Sequence, residues 1–473
     1  METRVRIPPS PTGKMHLGTA YTALFNYLFA KKNKGVFIFR WEDTDQQRSK
    51  KEFEEDIQSS MLWLGLNFDE GPYRQMDRLE NYQTATSRLL NEGKAYYCFC
   101  TPEELEQVRK EQSSKKLPLI YSGKCRNLSK EEIEKLTNEG KTYVIRFKMP
   151  KNKGIITFND LIHGKVDFDS SLIGDFVIMR ASGIPIYNFA VVVDDIDMKI
   201  THVLRGEDHI SNTPKQIVLF EALGSKLPEF AHWPNILNSD RLGKLSKREG
   251  ATAVSDYKKD GFLKEAIVNY LALIGWTMPD DREIMSLKEM EETFDLSKMR
   301  KSPAAFDIAK LEWMNGEYIR KMPNDELEKR LDEYLVDHPA RGKLAPFIPL
   351  TKDRIKKLSD FIPLTFFFFE KPEYDLEVFN RLKIEKISEV LSKCLENLEN
   401  MERPWNAQKF EANFRKLAEK LKLSATQMFQ LIRVAISGQT VTPPLFESIQ
   451  ILGEEEALKR TKEAFEFLQT VRA

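Results

Sequence analysis

Two short stretches of this chain carry residue types suited to gripping a run of phosphates. The first is Pro8-Pro9-Ser10-Pro11-Thr12-Gly13-Lys14-Met15-His16-Leu17-Gly18. Pro11 and Gly13 set a sharp turn, Ser10 and Thr12 add hydroxyls, and His16 can donate to phosphate oxygens. Gly18 leaves bare backbone against which a flat base can lie. A helix opening at Leu17 would aim its N-terminal amides and positive dipole end at the same point. The second stretch is Asp240-Arg241-Leu242-Gly243-Lys244-Leu245-Ser246-Lys247-Arg248, four cations against one acid, with a glycine and a serine for mobility. Singly, the two read as a proline-rich helix cap and a solvated basic loop; it is the pair that gives each its weight. A third feature is chemical in a different way. Cys98, Cys100 and Cys125 offer three soft ligands at Cys-x-Cys plus distant Cys spacing, which suits a zinc knuckle as well as three structural thiols without metal.

The elements around these residues follow from their patterning. An alternating run from Arg4 to Ile7 reads as a strand, broken by prolines that cannot donate to a ladder, and Leu17 to Ala30 reads as a helix. Val36 to Trp41 is the second strand, and Glu42-Asp43-Thr44-Asp45 follows at its carboxyl end, where ligand crevices of parallel sheets lie. Glu42 there is either a helix-capping acid or a partner for a substrate ammonium. Helices are expected over Ser49 to Leu64 and Asp77 to Asn91, the latter closed by Gly93. From about Ala95 to Gly183 the character changes to a charged segment with short β-like runs at Thr142 to Lys148 and Asp175 to Ala181, an insertion between halves of a parallel-sheet domain.

Past the insertion, Val191-Val192-Val193 reads as a strand buried on both faces, and Asp194, Asp195 and Asp197 as its solvated end. Thr201 to Leu204 is a further strand, Thr213 to Ala222 a helix, and Trp233 to Leu237 the run leading to the basic loop. That alternation describes a doubly wound α/β domain. Beyond Gly250 the pattern turns helical, with amphipathic segments at Phe262 to Ile274, Asp325 to Leu335, Ile384 to Leu398, Lys409 to Leu421 and Ala425 to Ile436. Phe366 to Phe369 is expected in a core or helix–helix contact, and Lys352-Asp353-Arg354-Ile355-Lys356-Lys357 on a solvated helix face or against phosphates.

A chain of 473 residues exceeds what one core holds, so several domains are expected. Lysine plus arginine equals aspartate plus glutamate at 72 each, so any nucleic acid must be held by local patches rather than by a whole-molecule field. Four cysteines, three of them bunched, argue against a secreted disulfide scaffold and for a reducing cytosol. No apolar run approaches the roughly 20 residues that cross a bilayer, and with a strand expected from Arg4 no leader peptide is expected in this chain. Gly140-Lys141-Thr142 imitates the end of a Walker motif, but position 135 is lysine where that motif needs glycine.

Pro-Ser-Pro-Thr-Gly-x-x-His-Leu-Gly near the N-terminus, paired with Lys-Leu-Ser-Lys-Arg mid-chain, resembles the two signatures of class I aminoacyl-tRNA synthetases. In this form they are similar to those of bacterial-type glutamyl-tRNA synthetases. Arg40-Trp41-Glu42-Asp43-Thr44-Asp45, Tyr187 to Asp195 and Val203 to His209 extend the resemblance, which covers the chain at least to about residue 320. It implies a Rossmann-like parallel-sheet catalytic domain in two halves, residues 1–95 and 186–252. An α+β insertion at 96–185 would bind the tRNA acceptor end, a helical stem-contact domain would span 253–320, and an all-α anticodon-binding domain 321–473. The helical C-terminal half fits glutamyl enzymes, whose glutaminyl sisters carry β-barrels there.

The implied reaction is ATP-dependent activation of L-glutamate and its transfer to tRNA(Glu), in the cytoplasm, by a monomer. His16, Lys244 and Lys247 would be catalytic. Pro11, Thr12, Gly13, His16, Gly18, Lys244, Ser246 and Lys247 would hold ATP with Mg²⁺. Arg6, Ser10, Glu42, Tyr187 and Arg205 would bind glutamate: two forks for carboxylates, one anion for the ammonium and two hydroxyls. Relatives place an asparagine where Val191 stands and a small residue where Pro8 stands. For Zn²⁺, some relatives supply a histidine where Asn127 stands; Tyr121 would then complete a set with Cys98, Cys100 and Cys125, as in a related truncated enzyme. The rival readings are a glutaminyl enzyme, a small-molecule nucleotidyltransferase, opposed by Thr19 where a second histidine would stand, and a non-catalytic tRNA-binding paralogue.

Overall fold

Aromatic and β-branched residues build the first strands of the computed structural model, which describes residues 2–151, 153–241, 243 and 253–471. Strand β1 (Arg4–Ile7) pairs in parallel with β2 (Val36–Trp41), Val5 lying opposite Phe37 and Ile7 opposite Phe39. On its other side β2 pairs in parallel with β3 (Glu70–Arg74). Between β1 and β2 runs helix α1 (Leu17–Lys32), and α2 (Lys51–Trp63) and α3 (Leu79–Asn91) follow β2 and β3. Helix α1 carries no narrow apolar stripe because it is covered on almost every side, Leu24, Phe25 and Leu28 being fully buried. It ends in Lys31 and Lys32, cations placed favourably at the negative end of the helix dipole.

The insertion begins with β4 (Ala95–Cys98), helices α4 (Pro102–Ser114) and α5 (Lys130–Asn138), and β5 (Val144–Phe147). Strands β6 (Ile155–Asp160) and β7 (Gly164–Asp169) then form an antiparallel hairpin that the sequence pattern did not disclose. β8 (Val177–Met179) completes a three-stranded antiparallel sheet in the order β4-β5-β8. The hairpin belongs elsewhere: β6 lies parallel to β10 (Glu229–Trp233), which in turn pairs with β9 (His202–Gly206), giving the order β7-β6-β10-β9. This mixed sheet abuts the β1-β2-β3 sheet where the Thr201 amide donates to the Arg4 carbonyl at 3.0 Å and the Arg4 amide to Thr201 Oγ1 at 2.8 Å. The doubly wound α/β reading therefore stands, with one strand of the insertion recruited into it.

Two expectations are corrected. Val191 to Val193 is not a strand but lies within helix α6 (Tyr187–Asp197), and Asp194 and Asp195 are not solvated: they are 0% and 1% exposed. A helix enclosed by neighbouring elements shows neither period clearly, so its valines imitate a buried strand. The run at Trp233 to Leu237 shares only Trp233 with strand β10, which covers Glu229–Trp233. Helix α7 (Thr213–Ala222) is as expected.

The chain forms two compact units, Met1–Lys258 with Lys264–Ile308 and Lys259–Leu263 with Ala309–Ala473. Among its described residues the second has helices and turns only, including Asn324–Tyr334, Ile387–Glu399, Ala407–Lys420, Ala425–Ser437 and Glu454–Thr470. Phe379, Leu391, Phe414, Leu431 and Leu468 form its core, and Phe367 is buried in a short turn with the ring of its neighbour Phe368 tilted against it at 4.1 Å between centroids. No described helix is long and apolar enough to cross a membrane.

Candidate functional site

The turn after β1 is pinned from two sides. The Pro9 carbonyl accepts from the Glu42 amide at 3.0 Å and the Pro11 carbonyl from the Lys50 amide at 3.1 Å, which ties the proline-rich segment to the end of β2. The Met15 amide donates to Asp56 Oδ2 on α2 at 2.9 Å, fixing the residue before His16. His16 caps α1, its Nδ1 accepting from the Thr19 amide at 3.2 Å. A Cβ at position 18 would lie 3.1 Å from that ring nitrogen, so Gly18 lets the imidazole fold back over the first turn.

His16 and Gly18 line a cavity of about 500 Å³ that also takes in Arg6, Ser10, Glu42, Tyr187 and Arg205. One space thus joins the phosphate-suited turn to all five residues proposed for the amino acid. Pro11, Thr12 and Gly13 do not line it; they shape the turn, with the Thr12 amide bonded to the Ser10 carbonyl at 2.9 Å. Lys244, Ser246 and Lys247 lie outside the described residues. The chain on their C-terminal side returns to the site: Ala253 pairs with His16 in an antiparallel bridge, and the Val254 amide donates to the Met15 carbonyl at 2.8 Å.

The two arginines differ. Arg6 faces Asp195 on α6, its Nε 3.2 Å from Oδ1 and its Nη2 3.2 Å from Oδ2. Arg40 shares the same carboxylate, Nη1 to Oδ1 at 2.8 Å, and approaches Glu42 at 3.6 Å. Burial opposes ionisation of Asp195, but Arg6 and Arg40 outweigh it and hold its carboxyl below the ordinary carboxylate range. Burial pushes Glu42 up to about 7 against the pull of Arg40 and Arg6. Asp194 is satisfied separately by Gln75, Arg78 and Tyr82. Their partners lie more than 100 residues away in sequence, which is why the acid pair looked like a solvated turn.

Arg205, at the end of β9, makes no ion pair with a carboxylate among the described residues. Its Nε donates to His232 Nε2 at 3.1 Å and its Nη2 to Thr213 Oγ1 at 2.8 Å, while its Nη1 is buried with no hydrogen-bond partner. Burial pulls this guanidinium below its ordinary pKa, yet arginine remains charged. A buried cation with an idle donor on a cavity wall is suited to an anion. Tyr187, at the start of α6, places its hydroxyl 3.0 Å from His209 Nδ1, and burial raises it to about 12. Asp208, His209, Asn212, Trp233 and Asn235 also line the cavity and were given no role from sequence, although Asp208 and His209 lie within a matching motif.

The three thiols of the insertion converge. Sγ atoms of Cys98, Cys100 and Cys125 all lie within 4.8 Å of one another, Cys100 and Cys125 at 3.6 Å. Thiolates at about 2.3 Å from a tetrahedral zinc lie about 3.8 Å apart, so the spacing fits. The Tyr121 hydroxyl is 3.4 Å from Cys98 and 3.2 Å from Cys100 and accepts from the Cys125 amide at 3.0 Å, which adds one oxygen to the three sulfurs as a fourth potential ligand. Arg146 stacks over Tyr121 at 3.9 Å and donates to Cys98 Sγ at 3.2 Å. Burial opposes ionisation of Cys98, but the Tyr121 and Arg146 hydrogen bonds prevail and lower its pKa; burial pushes Cys100 up to about 12.

Comparison with known proteins agrees with this geometry. Residues 2–313 match the family described as tRNA synthetases class I (E and Q), catalytic domain, and residues 324–465 match an anticodon binding domain. The chain is 44% identical to glutamate–tRNA ligase 2 of Thermoanaerobacter pseudethanolicus, over 100% of this chain and 99% of the relative. It is also 44% identical to the glutamate–tRNA ligase of Aquifex aeolicus, over 99% of each. A crystal structure of a glutamate tRNA ligase from Elizabethkingia meningosepticum in complex with its amino acid superimposes with a TM-score of 0.86 at 34% identity, over 98% of this chain and 99% of that one. A fold, a cavity and full-length likeness that all point one way place this chain in the glutamate–tRNA ligase family of class I tRNA synthetases.

Proposed function

We propose that the chain ligates L-glutamate to tRNA(Glu) in the cytoplasm, at the expense of ATP, through a glutamyl-adenylate. The observation that carries this reading is Arg205: a buried guanidinium with an idle Nη1 on the wall of the cavity that His16 and Gly18 also line. A carboxylate oxygen of glutamate attacks the α-phosphorus of ATP, the bond to the β-phosphate oxygen breaks, and pyrophosphate leaves. The 3′-terminal ribose hydroxyl of tRNA then attacks the activated carbonyl, loses its proton and displaces AMP. No covalent enzyme intermediate is needed, so the protein's work is alignment and charge stabilisation. His16 and the amides at the start of α1 serve the phosphates from one side and Lys244 and Lys247 from the other, and Mg²⁺ would share the phosphate charge. Pro11, Thr12 and Gly13 act by shaping the turn, and Ser246 acts with the two lysines on ATP. Arg205 and Arg6 face carboxylates, Glu42 the ammonium, and Tyr187 and Ser10 add hydroxyls. Residues 96–185 receive the acceptor end of tRNA, 253–320 its stem and 321–473 its anticodon.

The test is glutamylation of purified tRNA(Glu) with ATP, which the wild-type chain should support; its absence would refute the reading. In the same assay Lys247→Ala should keep its fold and lose about 10²-fold in kcat, because a cation set on the leaving pyrophosphate binds it more tightly as its charge grows. An unchanged kcat would remove Lys247 from the chemistry.

Zn²⁺, held by Cys98, Cys100, Cys125 and Tyr121, would cross-link the start of the insertion and supply no step of the reaction. Metal analysis of the purified chain should find about one zinc per molecule, and Cys125→Ser should lose it and unfold at a lower temperature. Wild-type protein without zinc after purification in its presence would leave the thiols purely structural.

A further inference from the structure

We propose that His232 and Asp160 are positioning residues for the amino-acid site, a buried carboxylate–imidazole pair that orients Arg205 for an acidic substrate without neutralising it. The inference rests on the reading of the cavity as the glutamate site. His232 and Arg205 are direct neighbours across the parallel strands β10 and β9, and Asp160 comes from β6 of the insertion. All three are buried, at 0%, 5% and 2% exposure.

Arginine has no acceptor, so the 3.1 Å contact between Arg205 Nε and His232 Nε2 requires a lone pair on Nε2. The ring proton is therefore on Nδ1, which donates to Asp160 Oδ2 at 2.6 Å. Asp160 is itself held by the Ile162 and His163 amides, both donating to Oδ1 at 2.9 Å. Burial keeps the imidazole neutral despite its carboxylate partner, and a neutral ring is the form that can accept from a guanidinium. With Nε on His232 and Nη2 on Thr213, the plane of Arg205 is fixed and only Nη1 remains idle.

The contrast with Arg6 shows what this arrangement achieves. Asp195 contacts Arg6 directly and offsets its charge. At Arg205 an imidazole stands between carboxylate and guanidinium, so the arginine is oriented by a hydrogen bond while most of its charge remains for the ligand. A direct carboxylate there would compete with that of the substrate.

The relay can be tested by aminoacylation kinetics on the full chain with tRNA(Glu), varying glutamate and ATP separately. His232→Leu should raise KM for glutamate about 10- to 100-fold, the loss typical of a hydrogen bond to a charged group, and leave KM for ATP within about threefold. His232→Gln, whose Oε1 falls where Nε2 was, should restore most of the affinity. His232→Asn, whose amide falls near Nδ1, should not. Equal effects of Gln and Asn, or a parallel rise in KM for ATP, would reduce His232 to a packing residue and overturn the proposal; if the leucine variant does not fold, the Gln and Asn pair decides. Wild-type protein that fails to charge glutamate would instead overturn the reading of the site, and the relay with it.

Discussion

Replacing Arg205 by alanine should lower kcat/KM for glutamate by about 10³-fold, since removing one partner of a desolvated charge pair costs about 2–5 kcal/mol. Steady-state charging of tRNA(Glu) at varied glutamate reads this directly, and KM for ATP should stay near its wild-type value. Arg205→Lys should rescue little. An ammonium on a flexible stem is a compact point charge and lacks the rigid planar fork that reaches His232 and Thr213 with Nε and Nη2 while Nη1 is held on the cavity wall. A loss below about threefold in Arg205→Ala would mean that the idle Nη1 does not meet the substrate.

The second large effect concerns stability. Asp195 carries the charge of Arg6 and of Arg40, all three being at most 1% exposed. Asp195→Ala strands two buried guanidiniums and should cost about 3–5 kcal/mol, read from urea unfolding of the unit that contains it. The sign of its pH dependence follows from the lowered pKa of Asp195. In the wild type the stabilisation is complete above the ordinary carboxylate range and is lost as pH falls through the depressed native value. The deficit of the variant should therefore be full at neutral pH and shrink in acid. A cost under about 1 kcal/mol at pH 7 would show that Arg40 and Arg6 find other compensation, with Glu42 and Asp194 the nearest acids to Arg40.

What the sequence disclosed were features written locally. The turn from Ser10 to Gly18 combines strand end, proline, glycine and helix start within a few residues, and the structure places His16 and Gly18 on one cavity with Arg6, Glu42, Tyr187 and Arg205. The cysteine spacing was equally plain, and the thiols converge. What stayed hidden depends on partners remote in the chain. Val191 to Val193 resembled a strand because helix α6 is buried around nearly its whole girth and so lacks a polar face. Asp195 resembled a solvated acid because its counter-ions arrive from β1 and β2. Asp160 and His232 sit on adjacent strands, β6 and β10, but lie 72 residues apart in the chain, and no motif or spacing links them. Strand β6 escaped notice for a related reason: its alternation of exposed and buried residues is that of a small hairpin, while its last residue reaches the main sheet.

Glutamate binding depends most on a substrate carboxylate meeting Arg205, a guanidinium that His232 and Thr213 orient and that makes no ion pair with a carboxylate among the described residues. A crystal structure of the chain with bound L-glutamate measures that contact. A glutamate carboxylate oxygen about 3 Å from Arg205 Nη1, with Arg205 still bonded to His232, is the predicted result. Glutamate bound with Nη1 still idle, or absent from the cavity at saturating concentration, would contradict it.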